Sequence, residues 1–225
     1  MSTSVSMEMM VTPDRSSQAH SGWRARVFAF LLLRINAKYE RLMAARKRPL
    51  LIGLRGRVLE IGPGAGVNLK HYDPSVQWIG IEPNPYMRAY LEKEAGRCGL
   101  QVDLRTGNAE QLDMADQSID AVVCTLVLCS VQDVRRVLKE IRRVLKPEGH
   151  FVFIEHVAAP RGTWLRRLQD WFRPLLVHFA VGCHPNRETW TIIEGAGFSK
   201  MELHHFRAPT LLPILSPHIA GVAIR

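Results

Sequence analysis

Between Arg57 and Glu155, five short β-like runs alternate with helical stretches, a pattern that commits the chain to a mostly parallel sheet with helices on both faces. The runs are Arg57 to Ile61, Gln77 to Glu82, Val102 to Thr106, Ile119 to Cys124 and His150 to Glu155. Two later runs, Met201 to His205 and Ile219 to Arg225, complete a seven-stranded, Rossmann-like α/β sheet. The clearest helix is expected from Val131 to Leu145, where Val134, Leu138, Ile141 and Leu145 share one stripe and Pro147-Glu148-Gly149 marks the end. Another is expected from about Arg187 to Glu194, closed by Gly195 and Gly197.

A chain of 225 residues, 47% of them hydrophobic, buries a full core without disulfide or metal staples. Its four cysteines (Cys98, Cys124, Cys129, Cys183) form no C-x-x-C pair and have no neighbouring His at zinc-site spacing, so no metal is expected and a reducing, cytoplasmic setting is the plain reading. No transmembrane segment is expected. The apolar run Val27 to Leu33 is too short to span a bilayer, and prolines interrupt the uncharged stretch from Ala208 to Ile224.

The net charge of +9 is concentrated at one end: residues 1–57 hold eleven Lys/Arg against three Asp/Glu. Residues 1–21 lack periodicity and read as a disordered tail, and residues 22–55 as a basic amphipathic helical segment. Residues 56–225 read as the main domain, with a lid-like insertion near 160–186. Arginines beside an apolar face suit peripheral contact with an anionic membrane. Nucleic acid is the weaker partner, because no base-methylation motif follows the fourth run, where the chain reads Cys124-Thr125-Leu126-Val127.

The first run leads straight into Glu60-Ile61-Gly62-Pro63-Gly64-Ala65-Gly66. Glycines at a strand-loop-helix turn let the backbone approach a ligand and leave amides free to face it. The spacing is G-x-G-x-G, with Val67 where a dinucleotide loop carries its third glycine. Glu60 argues against a pyrophosphate and for a cationic group. S-adenosylmethionine, with an α-ammonium, a sulfonium and no phosphate, answers both points. Glu82, twenty residues beyond Gly62, ends the second run where an acid of this fold holds both ribose hydroxyls.

These motifs resemble those of class I S-adenosylmethionine-dependent methyltransferases. The segments Val122 to Val131, Glu155-His156-Val157-Ala158, Arg187-Glu188-Thr189-Trp190 and Pro217-His218-Ile219 are similar to those of the methyltransferase-like alkyl-thiol S-methyltransferases and their bacterial relatives. The resemblance implies the class I fold, Pro83 following the ribose acid, Asn108, Ala109 and Glu110 beside the adenine, and Thr125 and Leu126 along the methionine portion. Asn108 stands where many methyltransferases carry Asp, and Val181 stands where the animal thiol enzymes carry Asp before Gly182-Cys183.

The implied activity is methylation of a small, fairly apolar acceptor, a thiol by resemblance. A lipid amine, a quinone-type hydroxyl and a non-catalytic cofactor-binding module remain open. His156, just past the fifth run, is either the base that takes a thiol proton or a histidine that shapes the pocket. His178, His184 and His218 read as packing residues, and Cys129 and Cys183 as small buried hydrophobes. The aromatic stretch Trp164 to Phe179 suits a lid and a packed amphipathic helix equally.

Overall fold

The computed structural model describes residues 39–180 and 182–225. Its strands are β1 (Arg57–Ile61), β2 (Gln77–Ile81), β3 (Val102–Arg105), β4 (Ile119–Thr125), β5 (Leu145–His156), β6 (Lys200–Arg207) and β7 (Pro217–Ile224). They form one seven-stranded sheet in the order β3-β2-β1-β4-β5-β7-β6. Strands β1 to β5 run parallel, and β7 lies antiparallel between β5 and β6. The chain reverses its direction of travel across the sheet between β1 and β4. Ligands of open α/β sheets bind at the carboxyl ends of the strands flanking such a switch point.

Successive residues of the central strands point to opposite faces, and both faces are covered. Val122, Cys124, Phe151 and Phe153 join a core cluster with Val134, Leu138 and Ile141 of helix α3 (Val134–Val144). Ala121, Val123 and Val152 face the other way, into a cluster with Leu91 and Ala95 of helix α2 (Arg88–Cys98).

Helix α1 covers residues 39–51, the described part of the basic segment. Its Tyr39 and Met43 pack on Ile154, Ala208 and Ala220, and the Tyr39 hydroxyl lies 3.0 Å from Nε2 of His218. Lys47 pairs with Glu40, both buried. The expected tail 1–21 and most of the amphipathic segment lie outside the described residues. No helix among the described residues is long and apolar enough to cross a membrane.

Several boundaries differ from the sequence reading, each for a local reason. Helix α3 starts at Val134 rather than Val131 because the Asp133 side chain caps the amides of Arg135 and Arg136. Strand β5 begins at Leu145, which pairs with Ile119 across a register shift, so the sheet reaches back past Pro147. Helix α5 (Thr189–Glu194) starts after Arg187, whose guanidinium bonds the carbonyls of Leu128 and Val131 in the loop following β4.

The aromatic stretch is helix α4 (Trp164–Phe179). It is fastened through the buried amide of Gln169, which bonds the Ala159 amide and the carbonyls of Val157 and Ile214. Leu165, Leu168 and Phe172 pack inward with Ile214, while Trp164, Trp171 and Phe179 are 66%, 73% and 63% exposed on the outer face.

Candidate active site

The glycine loop leaves the carboxyl tip of β1, beside the switch point. Gly62, Gly64 and Gly66 all adopt positive φ, a conformation that disfavours a side chain. At Gly64 a Cβ would meet no atom within 4 Å, so the loop presents bare backbone to open space. Pro63 is buried beneath it. At the tip of β2, Glu82 accepts the amides of Gly64 and Asn84, each at 2.8 Å. Burial pushes its carboxyl above the usual range, against those two hydrogen bonds.

Glu60 is turned inward. Its carboxylate accepts from Asn68 Nδ2 and the Tyr72 hydroxyl at 2.8 Å and from Trp78 Nε1 at 3.1 Å, and the residue is 1% exposed. Three protein donors thus hold the carboxylate at the base of the loop. Glu60 stiffens the loop from below and orients Asn68, which also reaches Thr125 Oγ1 at 3.1 Å. Glu110 is likewise committed to protein, accepting the amides of Gln132 and Asp133 at 2.9 Å. Asn108 closes a tight turn onto the Glu110 amide, with Ala109 buried between them. Pro83 is half-buried after Glu82.

Beyond Thr125, Leu126 holds φ at 58°, a strained value for a residue with a branched side chain. Its amide bonds the Ile154 carbonyl while its side chain packs against the α1 cluster. The strain turns the chain sharply at the switch point and starts the loop that carries Cys129.

That loop ends in a constellation that sequence spacing concealed. Cys129, His156 and Cys183 come together from three separate segments, with their side-chain ligand atoms all within 4.8 Å of one another. All three are buried. His156 Nε2 lies 3.1 Å from Cys183 Sγ, while Nδ1 is buried with no hydrogen-bond partner among the described residues. The hydrogen bond from Cys183, helped by the nearby His156, holds the Cys129 thiol well below its usual range. The same pairing with Cys129, together with burial, pushes Cys183 up.

Glu155 organises this corner and escaped the sequence reading. Fully buried, it accepts the Val127 amide at 2.8 Å and the Cys129 amide at 3.4 Å. Its place next to His156 at the end of an apolar strand was the available signal. His218 is also closer to the site than expected, its ring edge-on to that of His156 at 6.3 Å.

A methyltransferase-domain family model matches residues 59–153, which run from the glycine loop's strand to β5. The human thiol S-methyltransferase TMT1A is 39% identical over 209 residues, spanning 88% of this chain and 86% of the human protein, and human TMT1B matches to the same extent. The chain belongs to the methyltransferase family of these two enzymes. The YcgJ protein of Bacillus subtilis superposes with a TM-score of 0.60 at 20% identity, covering 82% of this chain and 98% of that one, a likeness of fold. The enzyme is an S-adenosylmethionine-dependent methyltransferase. Its switch point fits that cofactor: an open backbone at Gly64, an acid at the tip of β2 and no basic side chain in the loop.

Proposed function

We propose that this methyltransferase S-methylates small, fairly apolar thiols, and that the acceptor sulfur docks and loses its proton at the Cys129–His156–Cys183 corner. The observation that carries the reading is the buried imidazole of His156, which has one nitrogen on a thiol and the other without a partner among the described residues. That the human relatives are thiol S-methyltransferases supports it.

In this reading Gly62, Pro63, Gly64 and Gly66 present the loop backbone to the cofactor, and Glu82 takes its ribose. Pro83, Asn108 and Ala109 border the adenine, and Thr125 and Leu126 the methionine portion. Glu60 and Glu110 hold those groups in place from behind. S-adenosylmethionine supplies a methyl group on a sulfonium, which a thiolate displaces to give a methyl thioether and S-adenosylhomocysteine. The chain's own part is to generate the thiolate at the Cys129–His156–Cys183 corner, hold it in line, and exclude water through the cover of α1.

The test is a methyl-transfer screen with labelled cofactor across alkyl thiols, phenols, quinols and lipid amines. Transfer to thiols in preference to the others is expected. A preference for lipid amines or quinols, or the absence of transfer to any class, overturns the assignment.

We also propose that the enzyme works from the cytoplasmic side at anionic membrane surfaces. Supporting this is the aromatic face of α4, with Trp164, Trp171 and Phe179 exposed beside Arg167 and Arg173, in addition to the basic N-terminal segment.

A further inference from the structure

We infer that Cys129, His156 and Cys183 form a binding site for a thiophilic divalent ion, zinc by its chemistry, with a fourth position open to the acceptor sulfur. The inference rests on the proposed thiol activity and adds to it the means by which the thiolate forms.

Geometry comes first. Zn–S bonds of about 2.3 Å and Zn–N bonds of about 2.0–2.1 Å place tetrahedral ligand atoms roughly 3.5 to 3.8 Å apart. The three side chains already bring their ligating atoms within 4.8 Å of one another, so an ion needs only small shifts to draw them in. A set of two Cys and one His is a recognised zinc set, and three protein ligands rather than four is the pattern of sites that keep a position for substrate.

Construction of the corner points the same way. The Cys129 loop is anchored by two amide bonds to buried Glu155 and by the His184 amide on the Cys129 carbonyl at 2.8 Å. Gly182, at φ +81°, passes so close to the Ser130 carbonyl that a Cβ would sit 2.9 Å from its oxygen, and this approach sets Cys183 against Cys129. Two cysteines delivered this way to one imidazole are held more firmly than packing alone requires.

A further observation concerns the imidazole. Nε2 of His156 faces Cys183 Sγ at 3.1 Å, and its other nitrogen has no hydrogen-bond partner among the described residues, so the imidazole is engaged only on the side that meets the cysteines. A divalent cation with two thiolates and a neutral imidazole makes a neutral cluster, which suits a buried site.

With the ion in place, His156 acts as a ligand and not as the proton acceptor. The acceptor thiol gives its proton to water as its sulfur binds. Its lone pair then forms the new bond to the methyl carbon as the old carbon–sulfur bond breaks towards the cofactor. The methyl thioether produced is a weaker ligand and leaves.

The experiment uses the full-length protein, reduced and freed of metal, and titrates it with Co²⁺ as a spectroscopic stand-in and then with Zn²⁺. Thiolate-to-cobalt charge-transfer bands that saturate near one equivalent, and that Zn²⁺ displaces, are expected. They should be absent from the Cys129→Ser/Cys183→Ser double variant. In parallel, the metal-free enzyme should methylate an alkyl thiol at least about tenfold more slowly than the Zn²⁺-loaded one. Overturning results are no charge-transfer bands, bands that survive the double substitution, or a Cys129–Cys183 disulfide that re-forms in place of metal uptake. Full thiol methylation without metal also overturns the ion and leaves the thiol activity standing. Saturable Co²⁺ uptake with no transfer to thiols would refute the activity and keep the binding site, so the two failures are distinguishable. The spectrum of the unsubstituted protein needs no variant to fold.

Discussion

The Glu82 carboxylate accepts the Gly64 amide at 2.8 Å, joining the tip of β2 to the loop that leaves β1. One side chain thus sets the height of the glycine loop, and the proposed ribose contact falls on the same carboxylate. Replacing Glu82 with Ala is predicted to weaken S-adenosylmethionine binding by about 2 kcal/mol, or about 30-fold, since hydrogen bonds to a charged group contribute roughly 1.5–3 kcal/mol each. Calorimetric titration of the folded variant checks this.

The same carboxyl predicts a pH dependence. Burial favours its neutral form, so its pKa in the protein is raised. Cofactor affinity should be full above that raised pKa and fall as the pH drops through it, starting at a higher pH than an exposed glutamate of about 4.3 would allow. Glu82→Gln should bind more weakly and show no such slope. Binding constants measured from about pH 7.5 to about 5 decide it.

At Gly64 a new methyl group meets no protein atom, but the backbone sits at φ +55°. Gly64→Ala is therefore predicted to cost about 1–2 kcal/mol of stability from conformation alone. Its larger effect should be on cofactor affinity, because the methyl enters the space the loop keeps open. Thermal unfolding with and without S-adenosylmethionine separates the two: the variant should lose most of the stabilisation by ligand that the native protein gains.

Tyr39 ties α1 to the site through His218. Tyr39→Phe leaves a buried imidazole nitrogen without its hydroxyl and should lower stability by about 1–3 kcal/mol, read from denaturant unfolding. Because α1 packs into the core through Tyr39 and Met43, removing residues 1–50 would damage the domain. The membrane proposal is better tested by replacing Trp164, Trp171 and Phe179 with Gln, which leaves the core intact. The variant should lose salt-sensitive sedimentation with phosphatidylserine vesicles, and undiminished sedimentation would contradict the proposal.

Much of this architecture is legible in the residues, because it depends on local patterns. Runs such as Gln77 to Ile81 announce strands by composition, and the Gly62–Gly66 spacing marks the cofactor loop without reference to any distant residue. An acid before the loop has two uses, and only packing shows Asn68, Tyr72 and Trp78 arrayed around Glu60. The Cys129–His156–Cys183 corner was illegible for a related reason. His156 and Cys183 are 27 residues apart and Cys129 comes from another loop, so no short spacing records their meeting. Helix boundaries slipped where a side chain such as Arg187 or Asp133 had a partner the pattern does not encode.

The most direct test of the central claim is the pH–rate profile of methyl transfer to a small alkyl thiol by the native enzyme and by His156→Ala. If this corner generates the acceptor thiolate, the variant should be slower by roughly 10² or more near neutral pH. The deficit should close as the pH rises past a thiol pKa of about 8.5, where bulk water supplies the thiolate unaided. A deficit that stays constant across that range, or no deficit at neutral pH, would contradict the assignment of His156 and its two cysteines to the acceptor's proton.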